Sequence, residues 1–289
     1  MKIIRIDMKE VKVPTFVKWA GGKKQLLSQF NKFFPTKIER YFDAFVGGGS
    51  VAFYILQKYK PKEVFISDIN KELIDTYEII RDDLEKLIKK LREHKKKHDK
   101  EYFYKIRKQN PNKLSKINRA GRFIYLNKSC FNGLYRVNAK GGFNVPIGSS
   151  KTPAILPEED LRLISKLLKD VTIKNISFDK ILDYTKEGDF IYFDPPYYPL
   201  KKESFTTYTK GNFLQQEQEK LRKVFGILDK KKCKVMLSNS DTDFIKDLYK
   251  EYAPFKFVKA SRMINCIGEK RGKISEIVVL NYEPPQKEI

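Results

Sequence analysis

The chain has 289 residues, 41% of them apolar, enough to bury the core of one large domain or of a core domain with an insert, and too many for a disordered tail. Its 59 Lys and Arg against 36 Asp and Glu leave a formal charge of +23, which favours a polyanionic partner, nucleic acid first and an anionic membrane surface second. Lysine enrichment from an AT-biased genome accounts for the same excess in part, so charge alone gives only a modest preference. The three cysteines, Cys130, Cys233 and Cys266, form no CxxC pair and no disulfide spacing, the pattern of a reducing cytoplasm. No apolar run has the length of a signal peptide core or a membrane span. The expectation is a cytoplasmic protein with no membrane segment.

In chain order, residues 40–45 read as a buried strand, broken by Val46-Gly47-Gly48-Gly49-Ser50, with a short helix over 51–58. Residues 63–68 form a second strand ending in an acid, and Asn70 caps a helix that begins at Lys71. From 71 to about 128 apolar residues recur at helical spacing and the segment turns strongly basic, with a break at Asn110-Pro111-Asn112. His94 and His98 lie one turn apart, but Lys95, Lys96 and Lys97 between them repel cations, so a solvated helix face is expected and no metal site. Residues 131–150, rich in Asn, Gly and Arg, read as a loop or hairpin with outward side chains. After Pro157 strand and helix alternate again. Strands are expected at 171–173, 189–194, 234–238 and 274–282, and helices at 212–229 and 241–249. The fold class is a doubly wound, Rossmann-like α/β domain: residues 1–70 and 158–289 make the catalytic core, and 71–157 a helical, loop-rich insert.

Three features carry chemistry. Phe45-Val46-Gly47-Gly48-Gly49 joins a strand to a helix at the sheet edge where ligands bind, and glycine lets a cofactor approach the backbone. It is not a GxGxxG turn, which disfavours a dinucleotide oxidoreductase. Asp68 ends the next strand, placed either to accept from both hydroxyls of a ribose or to cap the following helix; the ribose reading fits NAD, FAD and S-adenosylmethionine alike. Asp194-Pro195-Pro196-Tyr197 is the most specific. Two prolines after a buried strand fix a rigid turn. The Asp194 carboxylate and the Pro195 carbonyl can both accept from an amino group, and Tyr197 can stack on a flat ring. A planar amine such as adenine N6 is a poor nucleophile because its lone pair is delocalised. Such a turn can hold that lone pair towards a methyl donor, and catalysis is then mainly positioning.

With these motifs in place the chain resembles the Dam-like D12 class of DNA adenine-N6 methyltransferases, including restriction-system members that methylate GATC. The resemblance covers nearly the whole chain. Its landmarks are Lys18-Trp19-Ala20-Gly21-Gly22-Lys23, the 45–49 turn, Asp68, Phe131-Asn132-Gly133-Leu134-Tyr135-Arg136-Val137-Asn138, Phe143-Asn144-Val145-Pro146, the Asp-Pro-Pro-Tyr turn and Arg271-Gly272-Lys273. It implies S-adenosyl-L-methionine as cofactor, held by Trp19, Ala20, Gly21, Lys23, Asp43, Phe45, Gly47, Gly49, Asp68, Phe178, Asp179 and Asp194. It implies double-stranded DNA as partner, with the adenine flipped out of the stack. Lys18 would read a guanine and Asn132 enter the stack. Leu134, Tyr135, Arg136, Asn138 and Pro146 would contact the rest of the site, Arg136 being suited to a guanine edge. The basic stretch 86–108 fits phosphate contacts. Restriction-system members imply a cognate endonuclease acting separately; the residues leave open whether this chain has one. RNA or a glutamine amide in a protein is a competing substrate for the same turn, and a catalytically silent DNA-binding protein is the competing class.

Overall fold

A computed structural model describes residues 11–138, 141–200, 213–261 and 273–285. Cys266, Arg271, Gly272 and the expected helix start at Asn212 lie outside the described residues. Among the described residues no helix is long and apolar enough to cross a membrane, and no cluster of three or more His, Cys, Asp or Glu is placed to hold a metal ion.

Seven strands make one sheet. β1 (Arg40–Asp43), β2 (Glu63–Ser67), β3 (Val171–Lys174), β4 (Phe190–Phe193) and β5 (Lys234–Ser240) run parallel; β6 (Lys256–Ser261) and β7 (Lys273–Leu280) form an antiparallel pair, with β7 against β5. The order is β3-β2-β1-β4-β5-β7-β6. Central strands are apolar on both faces, as parallel strands covered on both sides must be. β3 alternates buried and exposed residues, the signature of a strand at the sheet edge.

Successive strand residues feed two cores. Tyr41, Val64, Ile66, Phe190, Tyr192 and Met236 enter one; Phe42, Phe65, Ile191, Phe193, Val235 and Leu237 enter the other. The first core packs against α1 (Leu27–Phe30), α2 (Ser50–Lys58), α3 (Lys71–Asp82), α4 (Leu84–Lys96), α5 (Lys100–Arg107), α6 (Lys116–Ser129) and α7 (Glu158–Leu167). The second packs against α8 (Gln215–Lys230) and α9 (Asp243–Leu248). Asn70, Asp99, Ser115 and Thr242 each cap a helix by accepting from a backbone N–H in its first turn.

The helices of residues 71–129 share the first core with the sheet rather than enclosing one of their own. α3 is tied to α6 by buried ion pairs, Glu72 with Arg122 at 2.9 Å and Asp75 with Arg119. The expected solvated face around His94 is corrected here. His94 is buried, stacks on Tyr125 with centroids 4.8 Å apart, and shares a hydrogen bond with the Tyr102 hydroxyl. It extends the apolar stripe Leu87, Ile88, Leu91 by three residues, whereas Lys95, Lys96 and Lys97 point to water. Burial, with Lys90 nearby, pushes its imidazole down to about 4, so it is neutral.

Residues 131–150 form an irregular hairpin as expected. A 3-10 turn over Phe131–Gly133 is followed by antiparallel bridges, Cys130 with Ile147 and Val137 with Phe143. Its side chains do not all face outward: Phe143 and Val145 are buried, and Tyr135 turns inward onto Trp19.

Candidate active site

A cavity of about 860 Å³ opens across the carboxyl ends of β1, β2 and β4, where the strand order changes direction and open α/β sheets bind ligands. Its walls include Trp19 to Lys23, Asp43 to Val51, Asp68, Ile69, Tyr135, Phe178 and all of Asp194 to Tyr197. The structure thus brings together every residue expected for catalysis and every one expected for the cofactor except Asp179. Asp179 is not among the lining residues, but its carboxylate is 3.1 Å from Lys220, which is.

Asp194 continues from β4 into the proline turn. Its carboxylate meets the Lys23 ammonium at 2.8 Å and accepts from the Ser238 hydroxyl at 3.0 Å; Ser238 in turn is 2.9 Å from the Tyr192 hydroxyl. Burial pushes the Asp194 carboxyl up, and Lys23 and Ser238 oppose that push. Lys23 is 4% exposed and Asp194 19%, so the ammonium side of the pair is nearly dry while the carboxylate reaches the cavity. The turn itself is braced from behind. The buried Gln218 amide donates to the Pro196 carbonyl at 3.0 Å and accepts from Asn239 at 3.1 Å, and Asn239 accepts from the Tyr198 N–H at 3.1 Å. The Tyr197 hydroxyl donates to Glu276 at 2.7 Å, and the Lys23 ammonium lies 4.6 Å from the centre of the Tyr197 ring.

At the opposite end Asp68 accepts from the Gly47 N–H at 3.2 Å and the Asn70 N–H at 2.8 Å, while Asn70, not Asp68, caps α3. Beside it Phe178 stacks on Phe45 at 5.4 Å and Ile69 stands 78% exposed, an apolar wall for a flat ring. Asp43 is 2% exposed, accepts from Tyr41 at 3.1 Å and from the Phe45 N–H at 3.3 Å, and is pushed up to about 8 by burial.

The glycines, which line the cavity, also serve a second purpose that the sequence does not reveal. Gly47 has φ +48 and a Cβ there would lie 2.7 Å from the Trp19 indole; Gly49 has φ +76 and its Cβ would meet Tyr77 and Phe53. They let aromatic rings close on the turn, in backbone conformations that other residues resist.

Seven residues are expected to read DNA; one of them, Tyr135, lines the cavity, and the Lys18 side chain packs against Gly133 in the turn that holds Asn132 and Leu134. Lys18 and Trp19 are adjacent, and Tyr135 stacks on Trp19 at 5.7 Å. Asn132 is exposed, at φ 54. Lys18, Arg136, Asn138 and Pro146 are exposed, and Leu134 is half-buried. Arg136 is steadied by Asn144 at 2.7 Å, and the Pro146 carbonyl accepts from the Phe131 N–H at 2.9 Å. Sequence reasoning missed the residue that joins these pieces. Asn127, fully buried on α6, accepts from the Lys18 N–H at 2.7 Å and donates to the carbonyls of Lys18 at 2.8 Å and Gly133 at 2.9 Å. It also missed Ser238, Glu276, Gln218 and Asn239. These have no motif; only the register of β5 and β7 and the packing of α8 bring them to the turn.

The sheet order, five parallel strands closed by an antiparallel β7-β6 pair, is that of a Rossmann-like methyltransferase fold. Residues 19–265 match the model of the D12 class N6 adenine-specific DNA methyltransferases. A type II methyltransferase of Methanocaldococcus jannaschii, M.MjaIII, is 45% identical over 290 positions, covering 94% of this chain and 100% of the relative. M1.LlaDCHI, a type II methyltransferase of Lactococcus lactis subsp. cremoris, is 39% identical, covering 96% and 98%. A DNA adenine methylase of Haemophilus influenzae is 33% identical, covering 92% of each. The chain belongs to the D12 class of N6 adenine-specific DNA methyltransferases.

Proposed function

We propose that this enzyme methylates adenine N6 within GATC in duplex DNA, by flipping the base into the cavity and transferring the methyl group directly. The observation that carries the reading is the Asp194 carboxylate, fixed by Lys23 and Ser238 on the wall of a cofactor-sized cavity beside a braced proline turn and an aromatic ring.

The cavity fits S-adenosyl-L-methionine by its donor set. Asp68 has lone pairs for ribose hydroxyls, Ile69 and Phe178 flank a flat ring, and the carboxyls of Asp43, Asp68 and Asp194, all pushed up by burial, suit a ligand carrying positive charge. Trp19, Ala20, Gly21, Lys23, Phe45, Gly47 and Gly49 would complete the cradle. When bound, that cofactor supplies an electrophilic methyl group on sulfur.

The chain's own residues do the positioning. Asp194 and the Pro195 carbonyl accept the two N6 hydrogens, which turns the nitrogen lone pair towards the methyl donor. Tyr197 stacks on the flipped base. Burial pushes the Asp194 carboxyl up, and Lys23 opposes that push. Residues 71–157 carry target recognition. Lys18 and Arg136 read guanines, Asn132 enters the vacated stack, and Leu134, Tyr135, Asn138 and Pro146 contact the remaining bases and backbone. GATC is supported by the resemblance of these segments to those of GATC enzymes.

Sequencing the methylated positions of DNA treated with the enzyme tests the reading, with RNA and protein offered in parallel. Methyl-adenine confined to GATC is expected, and Asp194→Ala should abolish it while DNA binding persists. Methylation at another sequence overturns the GATC assignment, and turnover by Asp194→Ala overturns the mechanism.

A further inference from the structure

Glu276 has no part in any motif and does not line the cavity, yet it is hydrogen-bonded to Tyr197, which does. β7 runs antiparallel to β5 with Ser240 opposite Glu276, so the beginning of β7 reaches the sheet edge where the parallel strands end. The residues that follow, Ile277, Val278 and Val279, are buried and apolar. A carboxylate beside them is costly unless it is hydrogen-bonded. Its partner is the Tyr197 hydroxyl at 2.7 Å.

We propose that Glu276 is a positioning residue for methyl transfer: by accepting from the phenol it fixes the angle of the Tyr197 ring against the target base. The inference rests on Tyr197 stacking on the flipped adenine. The ring is then held at two points. Glu276 holds its hydroxyl, and Lys23, 4.6 Å from the ring centre, covers one face while pairing with Asp194. A ring with a cation on one face offers its other face to a planar base. Among the described residues, Lys23, Asp194, Tyr197 and Tyr192 are the charged and titratable groups that bear on Glu276. The Lys23 ammonium pairs with Asp194 and also draws on Glu276 electrostatically. Without the Glu276 bond the phenyl ring can rotate about its side-chain torsions, and the base loses one wall of the site that aligns N6.

The test uses the full-length enzyme and duplex DNA with 2-aminopurine at the target position. Single-turnover methylation, DNA affinity, thermal midpoint and 2-aminopurine emission are measured for Glu276→Ala, Glu276→Gln, Tyr197→Phe, Tyr197→Leu and the Glu276→Ala/Tyr197→Phe pair. Glu276→Ala should lower the single-turnover rate roughly 10- to 100-fold, the range for one hydrogen bond to a charged group. DNA affinity should stay near the parent's, while the emission of the flipped base rises as stacking loosens. Tyr197→Phe should lose at least as much, because its hydroxyl also bears on Asp194, and the pair no more than Tyr197→Phe alone, because both remove the same bond. Glu276→Gln, whose amide oxygen still accepts from the phenol, should keep most of the rate. Losses that multiply in the pair, a Gln variant as slow as Ala, or a parent-like Glu276→Ala overturns the proposal. If Glu276→Ala melts early, Tyr197→Phe decides, and a parent-like rate overturns it. Parent-like turnover by Tyr197→Leu would refute the stacking assignment itself. A slow Tyr197→Leu with a parent-like Glu276→Ala refutes the Glu276 role alone.

Discussion

Asn127→Ala is the substitution that most directly probes how the recognition rim is built. The Asn127 amide makes three hydrogen bonds to backbone, two to Lys18 and one to Gly133, from a fully buried position. The turn it serves is tight: Gly133 has φ +66, and the Lys18 side chain fills the space a Cβ would need. At roughly 0.5–1.5 kcal/mol net for each bond, the loss should be about 2–4 kcal/mol. Urea unfolding measures it as a lower midpoint with an unchanged slope. Asn127→Asp is the sharper control. It keeps the acceptor for the Lys18 N–H but sets a carboxylate against two carbonyl oxygens, so it should cost at least as much as alanine. Both variants should also lose discrimination between the methylated sequence and single-base variants of it, because Lys18 and the 131–134 turn no longer keep register. A loss below about 0.5 kcal/mol, ordinary for a surface site, or a parent-like Asn127→Asp, would refute the clamp.

Three other outcomes follow from the geometry. Gly47→Ala should push the Trp19 indole off the turn, and Trp19 is the one tryptophan of the chain; its emission should shift and cofactor affinity fall, and an unchanged spectrum would contradict the close approach. Asp43, pushed up from 3.8 to about 8, contributes stability that is full below about pH 4 and lost as pH rises through 8. The urea midpoint should therefore fall between pH 6 and 9 in the parent but much less in Asp43→Asn, and parallel curves would refute the buried neutral carboxyl. DNA affinity should drop steeply with salt, each phosphate contact adding about −0.9 to the log–log slope. Replacing exposed Lys95 and Lys96 by alanine should flatten that slope by about 1 to 2, and an unchanged slope would remove α4 from the interface.

The sheet was legible wherever burial on both faces forces an unbroken apolar run, as at 63–67 and 190–193. β6 was not, because Lys256, Lys259 and half-exposed Phe257 break the run on an edge strand. α7 announced itself by Glu158, Glu159 and Asp160 after Pro157, a start signal that was there to be read. Periodicity placed His94 inside, but the neighbouring lysines obscured it. Asp194 to Tyr197 could be read because the chemistry is contiguous. The residues that support the turn could not, since Ser238, Asn239 and Glu276 reach it only through strand register. The Lys23 to Asp194 pair is of the same kind: each residue was expected in the site, and only the fold shows that they meet.

The charged cluster at the cavity draws on Lys23 before the first strand, Asp194 after the fourth, and Glu276 in the last. No shorter stretch of chain contains it. A polypeptide emerging from the ribosome has its glycine turn and most of its sheet long before β7 can add to β5, and until then the tyrosine lacks its anchor. Competence is therefore the last property this molecule acquires as it folds, and the first it should forfeit if the closing hairpin frays. Methylation rate should in that sense report on completion of the sheet.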